Sequence, residues 1–134
     1  METEKKADNI IFNEKTKINE IDLKVDSKKK MLDSLDEIET NFYSLKKNID
    51  DCLDLFRQSI KGGNIQRKLD AISEDNMQYY NTSMRDVDYK RDEINNELKE
   101  LYNEKDKIND KIRKEYRKDM DSKMEKKEIR KDEI

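Results

Sequence analysis

Hydrophobic residues recur at intervals of three and four along most of the chain, which is the spacing of a coiled coil. In the first half, two rows with a period of seven run side by side. The first row contains Ile11, Ile18, Val25, Leu32, Leu53 and Ile60, and the second contains Ile21, Leu35, Phe42, Ile49 and Phe56. Such a sustained 3-4 spacing predicts one long helix with a narrow apolar stripe. We predict that this first helix runs from about residue 9 to about residue 60.

Charged residues interrupt these rows at Glu14, Lys28, Glu39 and Lys46. We call the line along which the two helices pack the seam. Ile38 stands beside Glu39, and Leu45 stands beside Lys46. We therefore expect Ile38 and Leu45 to take over the seam at these two points.

The chain contains no proline, and its two glycines are adjacent at Gly62-Gly63. Glycine at the end of a helix tolerates the left-handed conformation that terminates it. Asn64 can then accept the first free N–H groups of a following helix as its N-cap. This stretch therefore predicts the turn of a helical hairpin.

The second half carries the same kind of spacing, with a change of phase. Ile65, Ile72 and Tyr79 belong to one row, whereas Tyr80, Val87, Ile94, Leu101 and Ile108 belong to another. The slip of one residue predicts a local unwinding or bend between about residues 73 and 83.

These patterns predict an all-α protein, with residues 1–134 forming a single coiled-coil-like hairpin of two long antiparallel helices. The second helix is expected from about residue 64 to about residue 125. The charged ends, residues 1–8 and 126–134, are expected to fray.

Composition limits how this hairpin can be stabilised. Charged residues make up 47% of the chain and hydrophobic residues 32%, with a net charge of −3. This composition is too polar for a rounded core, but a narrow seam between helices needs only two apolar positions in seven. A seam of two helices buries its residues only partly, so a lone hairpin is marginal. We therefore expect a helical partner chain or self-association.

The residues that most enzymes and metal sites require are missing. The chain has no histidine and a single cysteine, Cys52, so we expect no metal site, no cofactor and no enzymatic activity. Cys52 precedes Leu53 and is expected to be a small buried or seam-edge residue. Neighbouring acids balance the basic clusters, which argues against nucleic-acid binding. The longest apolar run, residues 10–12, predicts no membrane insertion and a cytoplasmic protein.

An antiparallel register about the glycines places Phe42 and Tyr43 across from Thr82 and Ser83. Aromatic and methionine side chains gather there, beyond what two helices need to bury, and such residues favour protein interfaces. Plain packing within the seam is the alternative explanation. As partner-binding residues we predict Phe42, Tyr43, Phe56, Tyr79, Tyr80 and Met84.

One short motif matches a known export signal. Tyr102 and Asp106 have the Tyr-x-x-x-Asp/Glu form found in substrates of type VII secretion, and Tyr89 with Glu93 has it too. In a chain this acidic, chance gives a similar number of matches. We retain Tyr102 and Asp106 as a candidate secretion signal.

The pattern as a whole resembles the small α-helical proteins encoded beside LXG-domain toxins in Gram-positive bacteria. The resemblance is carried by the proline-free composition, Asn41-Phe42-Tyr43, the stretch from Leu55 to Asn64, and the charged second helix from Arg85 to Glu93. The chain lacks a Trp-x-Gly turn and a Phe-x-x-x-Asp motif.

The resemblance implies a non-enzymatic targeting factor or chaperone. Such a protein would bind the helical LXG domain of a secreted toxin, together with a second small helical protein as a further candidate partner. It would promote export by type VIIb secretion, either remaining in the cytoplasm or leaving with the toxin. Two alternatives stay open, a homo-oligomeric structural coiled coil and a general holdase or tether.

Overall fold

The computed structural model describes the backbone of residues 2–132 and the side chains of residues 5–127. It contains helix α1, Glu2–Ser59, and helix α2, Gly63–Asp132, with no strand in the described part of the chain. The two helices pack against each other, which confirms the predicted all-α hairpin. The chain divides into two compact units: unit 1 comprises residues 1–28 and 97–134, and unit 2 comprises residues 29–96.

Unit 1 buries most of its predicted seam. The apolar side chains buried there are Ile11, Ile21, Val25, Leu98, Ile108 and Ile112. Glu14 also lies in this seam and is buried, although it is charged. Its Oε1 atom accepts hydrogen bonds from Lys111 Nζ at 3.0 Å and from Lys17 Nζ at 3.3 Å. Burial removes the hydrogen bonds that the carboxylate would make to water, and the hydrogen bonds from the two ammonium groups replace them.

Unit 2 buries fewer apolar side chains, although it contributes a larger number of large hydrophobic residues. Its buried apolar residues within the described chain are Leu53, Leu69, Val87 and Ile94. Ile94 is only 1% exposed and is the most completely covered of them. The other large apolar residues of this unit are all half-buried or exposed.

The turn differs from the predicted one in its conformation. Neither glycine has a positive φ, so no left-handed residue ends α1. The N–H of Ile60 still bonds to the carbonyl of Phe56, and the N–H of Gln66 bonds to the carbonyl of Gly62. Gly62 is therefore the N-cap of α2, and the prediction that Asn64 takes this position is wrong. Asn64 already lies in the first turn of α2, because the helix begins one residue earlier.

The helices extend further than the hydrophobic pattern predicted. α1 begins at Glu2 rather than near residue 9, and α2 continues to Asp132 rather than ending near residue 125. Hydrophobic spacing marks where a helix packs, whereas Glu, Lys and Ala continue a helix without packing because their intrinsic helix propensity is high. Residues 1, 133 and 134 of the predicted frayed ends lie outside the described backbone.

The predicted unwinding near residues 73–83 does not occur, because α2 is a continuous helix through this stretch. The row of Tyr80 and Val87 continues towards the turn through Ser73 and Gln66, both of which are half-buried. The out-of-phase row of Ile65, Ile72 and Tyr79 is consequently exposed. A change of phase in the sequence thus becomes a change in which residues face solvent, rather than an unwinding of the helix.

The charged interruptions of α1 stay in the seam. Glu39 and Lys46 are half-buried, while Ile38 and Leu45 are 40% and 55% exposed. The prediction that Ile38 and Leu45 replace them is therefore wrong. The physical reason is that the charged side chains find partners: Glu39 accepts a hydrogen bond from Arg91 at 2.6 Å, and Lys46 donates one to Asp50 at 2.9 Å. In unit 1, Lys28 likewise forms an ion pair with Glu97.

Candidate partner-binding face

A second row of residues with heptad spacing runs along α1 within unit 2. It follows the alternating steps of three and four that characterise a coiled-coil seam. We call it the second seam, and it consists of Met31, Ser34, Ile38, Asn41, Leu45, Asn48, Cys52, Leu55 and Ser59. All nine side chains are exposed.

The second seam carries no charge, which sets it apart from its surroundings. Ten charged residues lie between residues 31 and 59, and none of them belongs to it. In a chain that is 47% charged, a solvated face normally carries Lys, Asp and Glu. An exposed, uncharged stripe with heptad spacing is instead the surface that a helix presents to another helix.

The exposed row of α2 lies on the same side of unit 2. Leu45 of the second seam and Tyr79 of α2 line one open groove, together with the half-buried Phe42 and Tyr80. In an antiparallel pair of helices, the residues directly before the seam positions of one helix lie on the same side of the contact as the residues directly before the seam positions of the other helix. Cys52 and Ile72 therefore also lie along this side, closer to the turn.

The opposite side of unit 2 is held together by ion pairs. Arg91 of α2 donates to Asp36 at 3.0 Å and to Glu39 at 2.6 Å, and Arg57 of α1 donates to Asp70 at 2.9 Å. The hydrogen bond to Glu39, followed by the hydrogen bond to Asp36, raises the pKa of Arg91 above its ordinary value. One side of unit 2 thus carries these ion pairs, which we call the charged clasp, and the other side carries the uncharged second seam.

Lys46 connects the seam to the groove. Its ammonium group donates to Asp50 and lies 5.5 Å from the centre of the Tyr80 ring, within the range of a cation–π interaction. The hydrogen bond to Asp50 raises the pKa of Lys46, against the opposing effect of desolvation. Lys46 therefore stays charged, and it lies beside the Tyr80 ring in the lining of the groove.

The six residues predicted to bind a partner do not form one surface. Phe42, Tyr79 and Tyr80 line the groove. Tyr43 and Met84 occupy the heptad positions of Arg57 and Arg91 and so lie on the side of the charged clasp. The sixth residue, Phe56, is exposed in the last turn of α1.

Cys52 is exposed, so the expectation that it is buried is wrong, whereas its position directly before the seam residue Leu53 agrees with the alternative expectation of a seam-edge residue. Its neighbour Leu53 takes the seam position and is buried, which turns Cys52 outward into the second seam. The face also contains residues that the sequence interpretation missed: Met31, Ile38, Leu45 and Leu55 are exposed members of it. Its freedom from charge is visible in the sequence and was the signal that could have identified it.

The candidate secretion signal lies on α2 in unit 1. Tyr102 and Asp106 are both exposed and are one helical turn apart, so their side chains share a face. Between them, Lys105 donates a hydrogen bond of 2.8 Å to Asp22, which raises the pKa of Lys105. The lysine is therefore held against α1, while Tyr102 and Asp106 remain accessible.

The described residues offer little other chemistry. No group of three or more His, Cys, Asp or Glu side chains is arranged to hold a metal ion in this part of the chain. Within residues 2–132, neither helix has a segment apolar enough over a sufficient length to cross a bilayer. The face described above is accordingly the principal candidate site.

Comparison with protein-family models, curated proteins and solved structures finds no match to this chain.

Proposed function

We propose that this chain is a non-enzymatic targeting factor or chaperone that binds the helical LXG domain of a secreted toxin. In this proposal it promotes the export of the toxin by type VIIb secretion. The observation that carries the binding role is the second seam, an uncharged heptad stripe of nine exposed residues. The class of partner comes from the sequence resemblance.

A helix is the partner that this face fits. A stripe with alternating steps of three and four over residues 31–59 can contact a straight or gently supercoiled partner helix along its whole length, which is about 42 Å. The groove beside it, between Leu45 and Tyr79, offers a recess for large side chains of that helix. An LXG domain is helical and would supply such a surface.

Asn41 and Asn48 give the face selectivity. Amides within an otherwise apolar contact between helices lower its affinity, but they specify the register and the partner. The reason is that an amide without a hydrogen-bonding group opposite it loses its hydrogen bonds to water and gains none in return. A cognate helix would place hydrogen-bonding groups opposite these two residues. Helices without them would bind more weakly, which favours one cognate toxin over general holdase activity.

Co-expression with LXG domains encoded by neighbouring genes tests the proposal. We expect a stable complex in size-exclusion chromatography with light scattering. Leu45→Glu should prevent the complex, because it places a charge in the centre of the second seam. Leu23→Glu is the matched control, since Leu23 is a 70% exposed leucine of α1 outside this face.

Two results would contradict the proposal. In the first, no helical-domain toxin binds the chain, which would favour a structural coiled coil. In the second, Leu45→Glu and Leu23→Glu bind the toxin equally well, which would place the interface elsewhere. Circular dichroism should show equal helicity for both variants, because both positions are exposed.

A further inference from the structure

We propose that, without its partner, the second seam packs against the second seam of another copy of this chain, antiparallel and centred within about one turn of Leu45. The inference goes beyond the proposed function, because it concerns the chain alone and does not depend on the identity of the toxin. The occupant of the face in the resting protein is thus a second copy.

The edges of the second seam determine the direction of the two chains. The edge facing α2 is apolar, and we call it the inner edge: Leu35, Phe42, Ile49 and Phe56. The opposite edge is polar, and we call it the outer edge: Lys30, Glu37, Ser44, Asp51 and Gln58. In an antiparallel pair, the inner edge of one copy contacts the inner edge of the other, and the two outer edges contact each other. In a parallel pair, the inner edge of each copy contacts the outer edge of the other. A parallel pair would press Glu37 and Asp51 towards phenylalanines, so the antiparallel pair is favoured.

The polar residues inside the second seam are placed symmetrically about its centre. Asn41 precedes Leu45 by four residues, and Asn48 follows it by three. In an antiparallel pair centred near Leu45, Asn41 of each copy therefore comes within about one helical turn of Asn48 of the other. The amides can hydrogen-bond to each other, which satisfies polar groups that the contact removes from water. This symmetry is what an isologous two-fold interface requires.

The exposed row of α2 supports the same arrangement. Antiparallel packing places α2 of both copies on the inner-edge side, so the hairpins form a four-helix bundle. Tyr79 borders the same groove as Leu45 and therefore lies near the centre of this bundle. It is 75% exposed in the single chain. The second copy thus covers both the second seam and the exposed row of α2, Ile65, Ile72 and Tyr79.

The outer edge limits the strength of the dimer. In the proposed register, Glu37 of one copy lies near Asp51 of the other, and the two-fold axis repeats this contact. Like charges at exposed positions destabilise a helix pair by a few tenths of a kcal/mol per contact. The dimer is therefore of moderate affinity, so a cognate helix without this repulsion can displace the copy.

Sedimentation velocity over a wide range of concentration tests the association. We expect a monomer–dimer equilibrium for the unaltered chain and for Leu23→Glu, and a monomer for Leu45→Glu. Glu37→Lys should tighten the dimer by roughly three- to tenfold, because two repulsive contacts become attractive. A monomer at every concentration, or a dimer that persists in Leu45→Glu, would overturn the proposal.

The single cysteine tests the direction. In the antiparallel dimer the two Cys52 residues lie about 21 Å apart along the helices, so a short bismaleimide does not join them. In the variant Ile38→Cys, the new cysteine lies beside Cys52 of the second copy, and we expect a covalent dimer. Efficient cross-linking of the unaltered chain through Cys52, or none in Ile38→Cys, would overturn the antiparallel arrangement.

The two proposals fail separately. A chain that stays monomeric but binds the toxin domain refutes the homodimer alone. A chain that forms the antiparallel dimer but binds no toxin domain refutes the proposed function alone.

Discussion

Unit 1 and unit 2 are built from the same two helices but differ in what they leave exposed. Between residues 10 and 28, the row of the second seam continues into unit 1 as Ile10, Asn13, Lys17, Glu20, Lys24 and Ser27, and three of these six residues are charged. In unit 2 the corresponding row is entirely uncharged. Unit 1 therefore presents an ordinary solvated surface on this face, whereas unit 2 presents a surface suited to another helix.

The two units also differ in how completely they bury their apolar residues. Unit 1 buries its apolar seam and encloses Glu14 between two lysines. Unit 2 has only a few fully covered anchors, while Leu45, Leu55, Ile72 and Tyr79 are exposed. A two-helix hairpin can cover only one face of each helix, and in the proposed function the exposed apolar residues of unit 2 contact a partner.

The largest expected effect is the loss of the central anchor of unit 2. Ile94→Ala should lower the free energy of unfolding by about 2–5 kcal/mol, because Ile94 is the most completely buried side chain. Urea denaturation followed by circular dichroism measures this change. Leu23→Ala is the control and should change stability by less than about 0.5 kcal/mol, since Leu23 is exposed. Equal losses in the two variants would mean that Ile94 is not an anchor.

Unit 1 should depend on pH through Glu14. Hydrogen bonding to Lys111, reinforced by Lys17, holds the pKa of Glu14 below its ordinary value despite desolvation. The stability that Glu14 contributes is therefore present above the ordinary glutamate pKa and is lost as the pH falls through the lowered pKa of the folded state.

The variant Glu14→Gln isolates this contribution. Its melting temperature should lie below that of the unaltered chain at neutral pH, and the difference should shrink in acid, where both side chains are uncharged. Thermal denaturation at a series of pH values measures both curves. Parallel curves over the whole range would show that the ion pairs of Glu14 do not stabilise unit 1.

A smaller effect is expected at the turn that closes unit 2. A Cβ atom added at Gly63 meets no atom within 4 Å, and the residue has no positive φ. Gly63→Ala should raise the free energy of unfolding by about 0.4–1 kcal/mol by restricting the unfolded chain. Gly62→Ala is the matched control and should not stabilise the protein, because glycine is preferred to alanine at an N-cap. Destabilisation by Gly63→Ala would show that the turn requires a glycine there.

The smallest effect on stability is expected from the candidate secretion signal. Tyr102→Ala combined with Asp106→Ala should leave the melting temperature nearly unchanged, because both side chains are exposed. If the two residues form a recruitment signal, export of the toxin should fall in a secreting strain. Tyr89→Ala with Glu93→Ala provides the comparison for the second motif. Unchanged export in the first double variant would rule out the signal.

The sequence predicted the helical class, the position of the turn and the pairing of the helices. Phe42 and Ser83, expected to face each other, do line one groove. The sequence pattern did not predict which of two neighbouring apolar rows closes the hairpin. On hydrophobicity alone, Ile38 and Leu45 fit a seam better than their charged neighbours Glu39 and Lys46 do.

Long-range pairing settles that choice. Glu39 meets Arg91 of the other helix, a residue 52 positions away in the chain. A local hydrophobic pattern contains no information on such a pair, so the interpretation favoured Ile38. The same limit applies to the out-of-phase row of α2, where an unwinding was expected near Tyr79 and the helix is instead continuous.

Hydrogen exchange measured by mass spectrometry on dilute and concentrated protein tests the difference between the units most directly. We predict that unit 1 exchanges slowly under both conditions, because its own two helices cover its seam. Peptides covering residues 31–59 should exchange faster in dilute protein and become protected when the chain associates. Equal protection of both units in dilute protein, or new protection confined to unit 1, would contradict the account.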